Sequence, residues 1–454
     1  MMLRGLILAG AVALASCTPA DAPPVASRAG IVSAAALPPA HRFTGVPQRP
    51  IPVQPNGQLA RDFMALSFQL ETGRQLPVFT RFEGPITVGV EGEAPSSLDA
   101  DLDALIARLR TEARIDVSRA GRGEMPSITV SALPRKTLQS VVPGAACFVV
   151  PRVTGWQDYL DRRFSNAVDW TTLKTRTRAS IFLPGDVSAQ EIRDCLHEEL
   201  AQALGPLNDL YRLPHSVFND DNVHVVLTSY DMMLLRATYD PALRSGMSQE
   251  EIAAVLPKVM ARVNPAGRRP DRAATVESPD DWTRSIRGAL SPAGSSRNRL
   301  AQAERAVAIA TDASWRDSRL PFAQLALGRA ALSTDADRAI AAFLAAGTGF
   351  RRLYGDGIHA AHVAVQLAAF ALTAGQPEST LRIVDRALPA ARDAQNAGIT
   401  STLLMIRSQA LAMRGAAELS QEVRSEAISW GRYAWGDRVL ARRLAEIDAL
   451  SPAS

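Results

Sequence analysis

One stretch constrains this chain more than any other: Cys195-Leu196-His197-Glu198-Glu199-Leu200-Ala201-Gln202-Ala203-Leu204-Gly205-Pro206-Leu207-Asn208-Asp209. It reads as a helix that stops at Gly205, with Ser188 placed to cap its start after the turn Pro184-Gly185-Asp186-Val187. Glu198 and Gln202 stand four residues apart, so one face carries both, and carboxylate and carboxamide can hydrogen-bond across the turn. Glu199 sits beside them, and Asn208 and Asp209 follow where the chain leaves the helix. These five polar residues are the candidate site. Buried polar groups require partners, and a fully connected network fixes a single geometry.

The segments before the stretch alternate between helix and strand patterns. A short helix is expected over residues 62–71, with Phe63, Leu66 and Leu70 on one face. A strand follows at Ile86–Val90, then a helix at Asp99–Thr111 with Leu102, Leu105, Ile106 and Leu109 as its apolar stripe. Short strands are expected at Ile115–Val117, Ser127–Val130, Cys147–Pro151 and Ala179–Leu183. Residues 156–170 are mixed. After the stretch, Leu227–Pro241 reads as a turn and a helix. Periodicity alone makes this region α+β.

The central stretch resembles the active-site helix of metzincin zinc proteases, in which His-Glu-x-x-His is followed by a Gly and a third ligand. Glu198, Glu199, Gln202, Gly205 and Asn208 reproduce that spacing. The resemblance implies a metzincin-like domain, a mixed sheet with an active-site-type helix, in which Glu199 and Gly205 keep their places. The three ligand positions hold Glu198, Gln202 and Asn208, and the usual metal chemistry is missing. Phe218 falls near the Met-turn position. Residues Cys195 through Met247 further resemble the proteobacterial domain-of-unknown-function 2927 family, through Cys…Glu-Glu-x-x-Gln-x-x-Gly…Asn-Asp, Ser-x-Phe-Asn-Asp (216–220), Leu-Thr-x-x-Asp (227–231) and the run around Tyr239-Asp240-Pro241. Ala237-Thr238 departs from the Leu expected before Tyr239. That family brings no established activity.

Three readings of the five polar residues stay open. They form a structural network in a former metal site; or they line a cleft that binds a peptide or glycan without cutting it; or they serve a hard cation or an unusual hydrolase with Glu199 as general base. A zinc site from His197, His215 and His224 would need an arrangement without precedent, so these are read as surface or packing histidines. No metal and no cofactor are expected, and neither a phosphate-binding Gly-rich loop nor a serine nucleophile elbow occurs.

The first residues read as an export signal: Arg4, an apolar run Leu6–Leu14, then Leu14-Ala15-Ser16-Cys17, which resembles a bacterial lipobox. Residues 1–16 are expected to be removed and Cys17 lipidated. That places the protein in the cell envelope, facing the periplasm and anchored to the membrane, with the outer membrane favoured. Residues 17–57, rich in Pro and Ala, are expected to act as a tether. Lipidation uses one of three cysteines, so Cys147 and Cys195, in an oxidising compartment, are expected to pair; two free buried thiols are the alternative. A formal net charge of +4 over 454 residues is too mild for nucleic-acid binding.

Residues 58–265 are read as the metzincin-like domain and 266–297 as a linker. From 298 to 450 the chain turns Ala-rich. Leu367-Ala368, Gly375, Leu381 and Ala387-Leu388 fit a tetratricopeptide register, Leu327-Gly328 and Ala339–Leu344 an earlier unit, and Leu403–Gly415 with 418–435 a later one. An all-α TPR-like solenoid is expected, with a plain helical bundle as the alternative. The function expected is that of an envelope protein that binds a protein partner through these repeats and is more a pseudo-metalloprotease than an enzyme. The rival is a periplasmic hydrolase or peptidase with a non-standard Glu/Gln/Asn site.

Overall fold

The computed structural model describes residues 37–43, 53–271 and 277–450. The expected signal peptide and the lipidation site Cys17 lie outside these residues. The chain divides into two compact units, one from Phe43 to Glu277 and one comprising the described residues up to Arg42 together with those from Ser278 onward.

The first of these is an α/β unit. Its elements are α1 (Asn56–Ser67), β1 (Ile86–Gly92), α2 (Ser96–Thr111), β2 (Val117–Arg119), β3 (Ile128–Leu133), α3 (Arg135–Val141), β4 (Phe148–Pro151), α4 (Gly155–Arg162), β5 (Ala179–Pro184), α5 (Ala189–Leu204), α6 (Ser229–Thr238) and α7 (Gln249–Val263). The strands make one mixed sheet in the order β2-β1-β3-β5-β4. All pairings are parallel except that of β4, which runs antiparallel to β5. The inner strands β3 and β5 are buried almost throughout, as strands covered on both faces must be.

Alternation along β5 separates two apolar layers. Ile181 and Leu183 join the main core with Leu102, Leu105 and Leu109 of α2 and Ile192, Leu196 and Leu200 of α5. Phe182, between them, packs with Leu138, Val150, Trp156 and Tyr159. The central stretch of the sequence is therefore the helix that carries one side of the main core.

Several boundaries differ from expectation. The first helix begins at Asn56, six residues early, because Leu59 extends its apolar stripe; after it the chain folds into a turn bridged from Gln69 to Gln75. The second strand starts at Val117, since Arg114 adopts a positive φ of 58° and Ile115 is spent on the turn. Helices α3 and α7 were not anticipated. Pro257 inside α7 masks its pattern, yet Ile252, Leu256, Val259, Met260 and Val263 are buried.

The other unit is all helical: α8 (Asp280–Leu290), α9 (Ser296–Asp312), α10 (Arg319–Ala331), α11 (Ala336–Tyr354), α12 (Ile358–Thr373), α13 (Pro377–Asp393), α14 (Ala397–Met413) and α15 (Ala417–Asp448), broken at Gly436, where φ is 71°. Each helix packs on the next, and α12 also meets α14. A Cβ on Gly328 would stand 2.5 Å from the Phe343 ring, so only glycine lets α10 and α11 approach this closely.

Two expectations are corrected here. Residues 280–290, read as linker, form α8. Its Trp282, Ile286 and Ala289 are buried, and Trp282 meets Trp315 edge-on at 5.4 Å. The short apolar repeat between prolines hides it. Within the expected tether, Pro38–His41 lie along α15: Ser429 Oγ donates to the Pro39 carbonyl at 2.8 Å, His41 N–H to the Ser429 carbonyl at 2.9 Å, and the His41 ring stacks on Trp430 at 3.5 Å. No helix among the described residues is long and apolar enough to cross a membrane.

Candidate functional site

The site is built on α5. Ser188 caps the helix by accepting from the Glu191 N–H, as expected. Cys195, buried in the core, is disulfide-bonded to Cys147 just ahead of β4, with Cα atoms 5.9 Å apart. The helix is thus pinned to the antiparallel edge of the sheet one turn before the polar positions.

Its C-terminus is satisfied group by group. A helix leaves its last four carbonyls without intrahelical partners. Here the Ala201 carbonyl accepts from the Gly205 N–H, and the Leu204 carbonyl from Tyr239 Oη at 3.1 Å. Arg176 supplies the rest: Nη1 donates to the carbonyls of Gln202 (2.6 Å) and Ala203 (2.7 Å), and Nη2 to that of Gly205 (2.6 Å). Its Nε–H donates to Thr80 Oγ1, and the Trp170 ring lies 4.9 Å away. Burial lowers the Arg176 pKa to about 10, which still leaves a cation at the negative end of the helix dipole. Gly205 is not in a left-handed conformation (φ −169°); a Cβ there would sit 3.0 Å from the Thr238 side chain.

The structure places the five candidates as follows. Gln202 is buried and its Nε2 reaches Glu71 Oε1 at 3.4 Å, rather than Glu198 as expected. Asn208 is buried; its Nδ2 donates to the Ala65 carbonyl at 3.1 Å and approaches Gln69 Oε1 at 3.5 Å, while its Oδ1 accepts from the Asp209 N–H. The Leu207 N–H also donates to the Leu66 carbonyl. The polar positions therefore hold the end of α1 and the turn after it, a partner that helical spacing cannot reveal. Glu199 is 5 % exposed, and neither its Oε2 nor Asp209 Oδ1 has a hydrogen-bond partner among the described residues. The fully connected network expected from the sequence is thus incomplete.

The carboxyl groups explain why. Burial pushes Glu198 up to about 7, with Glu71 and Asp220 adding to the effect. Burial, then Glu198 and Glu71, push Glu199 well above the usual range. Asp209 is raised by burial and then by Glu198, Glu71 and Asp220. Like charges this close cannot all ionise, so protons take the place of counterions.

A sign follows. A carboxyl whose pKa rises on folding stabilises the native state below its unfolded value and loses that contribution as pH climbs through the folded value. For Glu198 the window runs from its ordinary 4.5 to about 7. The neutral Glu198→Gln variant should therefore gain about 2 kcal/mol on wild type between pH 5 and pH 8. Urea unfolding across this range checks it, and a difference that does not change with pH refutes it. Comparing the pair at each pH removes the opposing histidine contribution: burial lowers His215 to about 3 and His224 to about 4, so these act against folding below their ordinary 6.5.

The histidines are packing groups. His197 is buried, its Nδ1 accepts from the Leu227 N–H at 3.1 Å, and burial, then Arg193 and Arg108, hold it neutral. His224 donates through Nε2 to the Pro214 carbonyl. Among the described residues no group of three or more His, Cys, Asp or Glu is arranged to hold a metal ion. The positions of a metzincin's ligands also fail to fit zinc, which takes imidazole, thiolate or carboxylate donors. Glu198 is one carboxylate among two carboxamides, and both amide nitrogens are turned to α1 and its following turn.

Asp231, the last residue of the Leu-Thr-x-x-Asp run, is a buried structural carboxylate. Its carboxylate accepts from Ser216 Oγ (2.5 Å), the Thr228 N–H (2.8 Å), Thr228 Oγ1 (3.0 Å) and the Val217 N–H (3.3 Å). It thereby ties the loop through Ser216 and the buried Phe218 to the capping box of α6. A groove of about 510 Å³ along α1 and α7, lined by Met64, Phe68, Gln69 and Leu256, has none of the five candidates in its lining, although Ala65 and Gln69, the partners of Asn208, border it.

Residues 56–258 match the model of a family described as a protein of unknown function (DUF2927), which supports membership of the α/β unit in that family. No curated protein and no solved structure matches the chain.

Proposed function

We propose that this is a lipid-anchored cell-envelope protein whose α/β unit keeps a metzincin-like frame without metalloprotease activity, and whose helical unit, a TPR-like repeat array, binds a protein partner. In this reading Cys17 carries the lipid and the body faces the periplasm. One observation carries the non-catalytic part: two of the three ligand positions, Gln202 and Asn208, are engaged by Glu71, Ala65 and Gln69 instead of facing an open site. A buried Glu199 with an unpartnered oxygen, beside a Glu198 that titrates near 7, supports the rival reading, a hydrolase with Glu199 as general base.

The two readings separate in one experiment. Full-length protein in detergent is equilibrated with zinc, dialysed, and assayed for metal by elemental analysis and for digestion of peptide libraries and cell-wall fragments. The expected result is zinc well below one ion per chain and no turnover. Stoichiometric zinc, or turnover abolished by Glu199→Ala, would overturn the non-catalytic reading.

A further inference from the structure

In the helical unit, one stripe of α12 borders a cleft, with Ala364 and Leu367 half-buried and Ala360 buried. Ala360, Ala364 and Leu367 recur at helical spacing and line a cleft of about 310 Å³, closed on the other side by Ile383 and Ala387 of α13. Three arginines rim this apolar floor. Arg382 and Arg386 stand one turn apart on α13, and Arg351 comes from the last turn of α11. All three are exposed. Several other arginines of this unit are paired, as Arg392 with Glu426, Arg407 with Asp385, and Arg424 with Asp448. No carboxylate among the described residues lies within ion-pair distance of Arg351, Arg382 or Arg386, and the one hydrogen bond among them runs from Arg382 Nη2 to Ser379 Oγ at 2.9 Å. Asp356 is the acid in the lining.

We propose that this cleft receives an acidic peptide segment of the partner protein, with an apolar side chain seated on the Ala360–Ala364–Leu367 floor and flanking carboxylates on the three guanidiniums. The proposal rests on the reading of the helical unit as a partner-binding module and names the chemistry it recognises. An apolar floor a few side chains wide favours a peptide with alternating apolar and acidic residues. Planar guanidiniums match carboxylates in bidentate geometry.

The test uses full-length protein in detergent and benzophenone-labelled 12-residue peptides rich in Glu and Leu, with Lys/Leu and Gln/Leu peptides as comparison. The Glu/Leu peptide should bind, cross-link to α12 or α13, and weaken at least tenfold between 50 and 500 mM salt. Arg382→Glu with Arg386→Glu should weaken it at least tenfold, and Ala364→Trp, which fills the floor without changing charge, should do likewise. The exposed Arg316→Glu should leave affinity within twofold, and all variants should keep the wild-type melting temperature. Cross-links elsewhere between residues 278 and 450, or affinity indifferent to the two rim arginines, would overturn the cleft while leaving the helical unit a binding module. No cross-link of any peptide to the helical unit would overturn both. Arginine-dependent binding to phosphatidylglycerol vesicles without peptide binding would replace the peptide by a lipid headgroup and refute the proposal.

Discussion

Replacing Arg176 with Met should cost the α/β unit about 4 kcal/mol. The change removes the donors of three backbone carbonyls, those of Gln202, Ala203 and Gly205, and of Thr80 Oγ1. Those carbonyls cannot reach water, and each buried acceptor left unpaired costs about 1–3 kcal/mol. Dehydrating the guanidinium is a standing cost of the native state, so the loss is smaller than three full penalties. Met fills much of the space, which keeps a cavity from inflating the result. Arg176→Lys tests the geometry separately. An ammonium keeps a positive charge at the helix end but cannot span three carbonyls in one plane, and about 2 kcal/mol should still be lost. Urea unfolding reads both as a shift in midpoint at constant slope. A Met variant within 1 kcal/mol of wild type would mean that Arg176 does not hold the end of α5.

Arg176 also marks where sequence reading stops. The helix α5, its cap at Ser188, its end at Gly205 and its five polar residues follow from spacing, because helical geometry is local. The strands from Ile86 and Ala179 and the edge strand at 148–151 follow from short apolar runs between turns. What closes the site comes from far along the chain. Glu71 reaches Gln202 across 131 residues, Ala65 meets Asn208 across 143, and Arg176 lies in Thr175-Arg176-Thr177-Arg178, where nothing distinguishes it from its exposed neighbours. The expected Glu198–Gln202 contact is a local solution that burial displaced. Once Glu198, Glu199 and Asp209 are crowded together, the carboxamide is better used on Glu71. In the helical unit the turn at Gly375 and the close pair at Gly328 were legible as small residues, whereas α8 was hidden by its length of 11 residues.

Reducing the Cys147–Cys195 bond should destabilise the α/β unit by about 4 kcal/mol. The cross-link spans a sequence separation of 48, and closing a loop of that size restricts the unfolded chain by roughly this amount in the chain-entropy model. Reduction is a cleaner test than substitution, because Cys195 is part of the main core and Cys195→Ala would also remove a packed sulfur. The urea midpoint should fall with reductant in wild type and stay unmoved in a Cys147→Ala/Cys195→Ala double variant. Local effects should be uneven. The edge strand β4 has one sheet neighbour, β5, so amide exchange at residues 148–151 should accelerate first. The C-terminal turn of α5, held independently by Arg176 and Tyr239, should keep its protection. Thiol labelling of denatured, unreduced protein should modify neither Cys147 nor Cys195. Labelling of both, or a wild-type midpoint indifferent to reductant, would show that α5 is held to the sheet by packing alone.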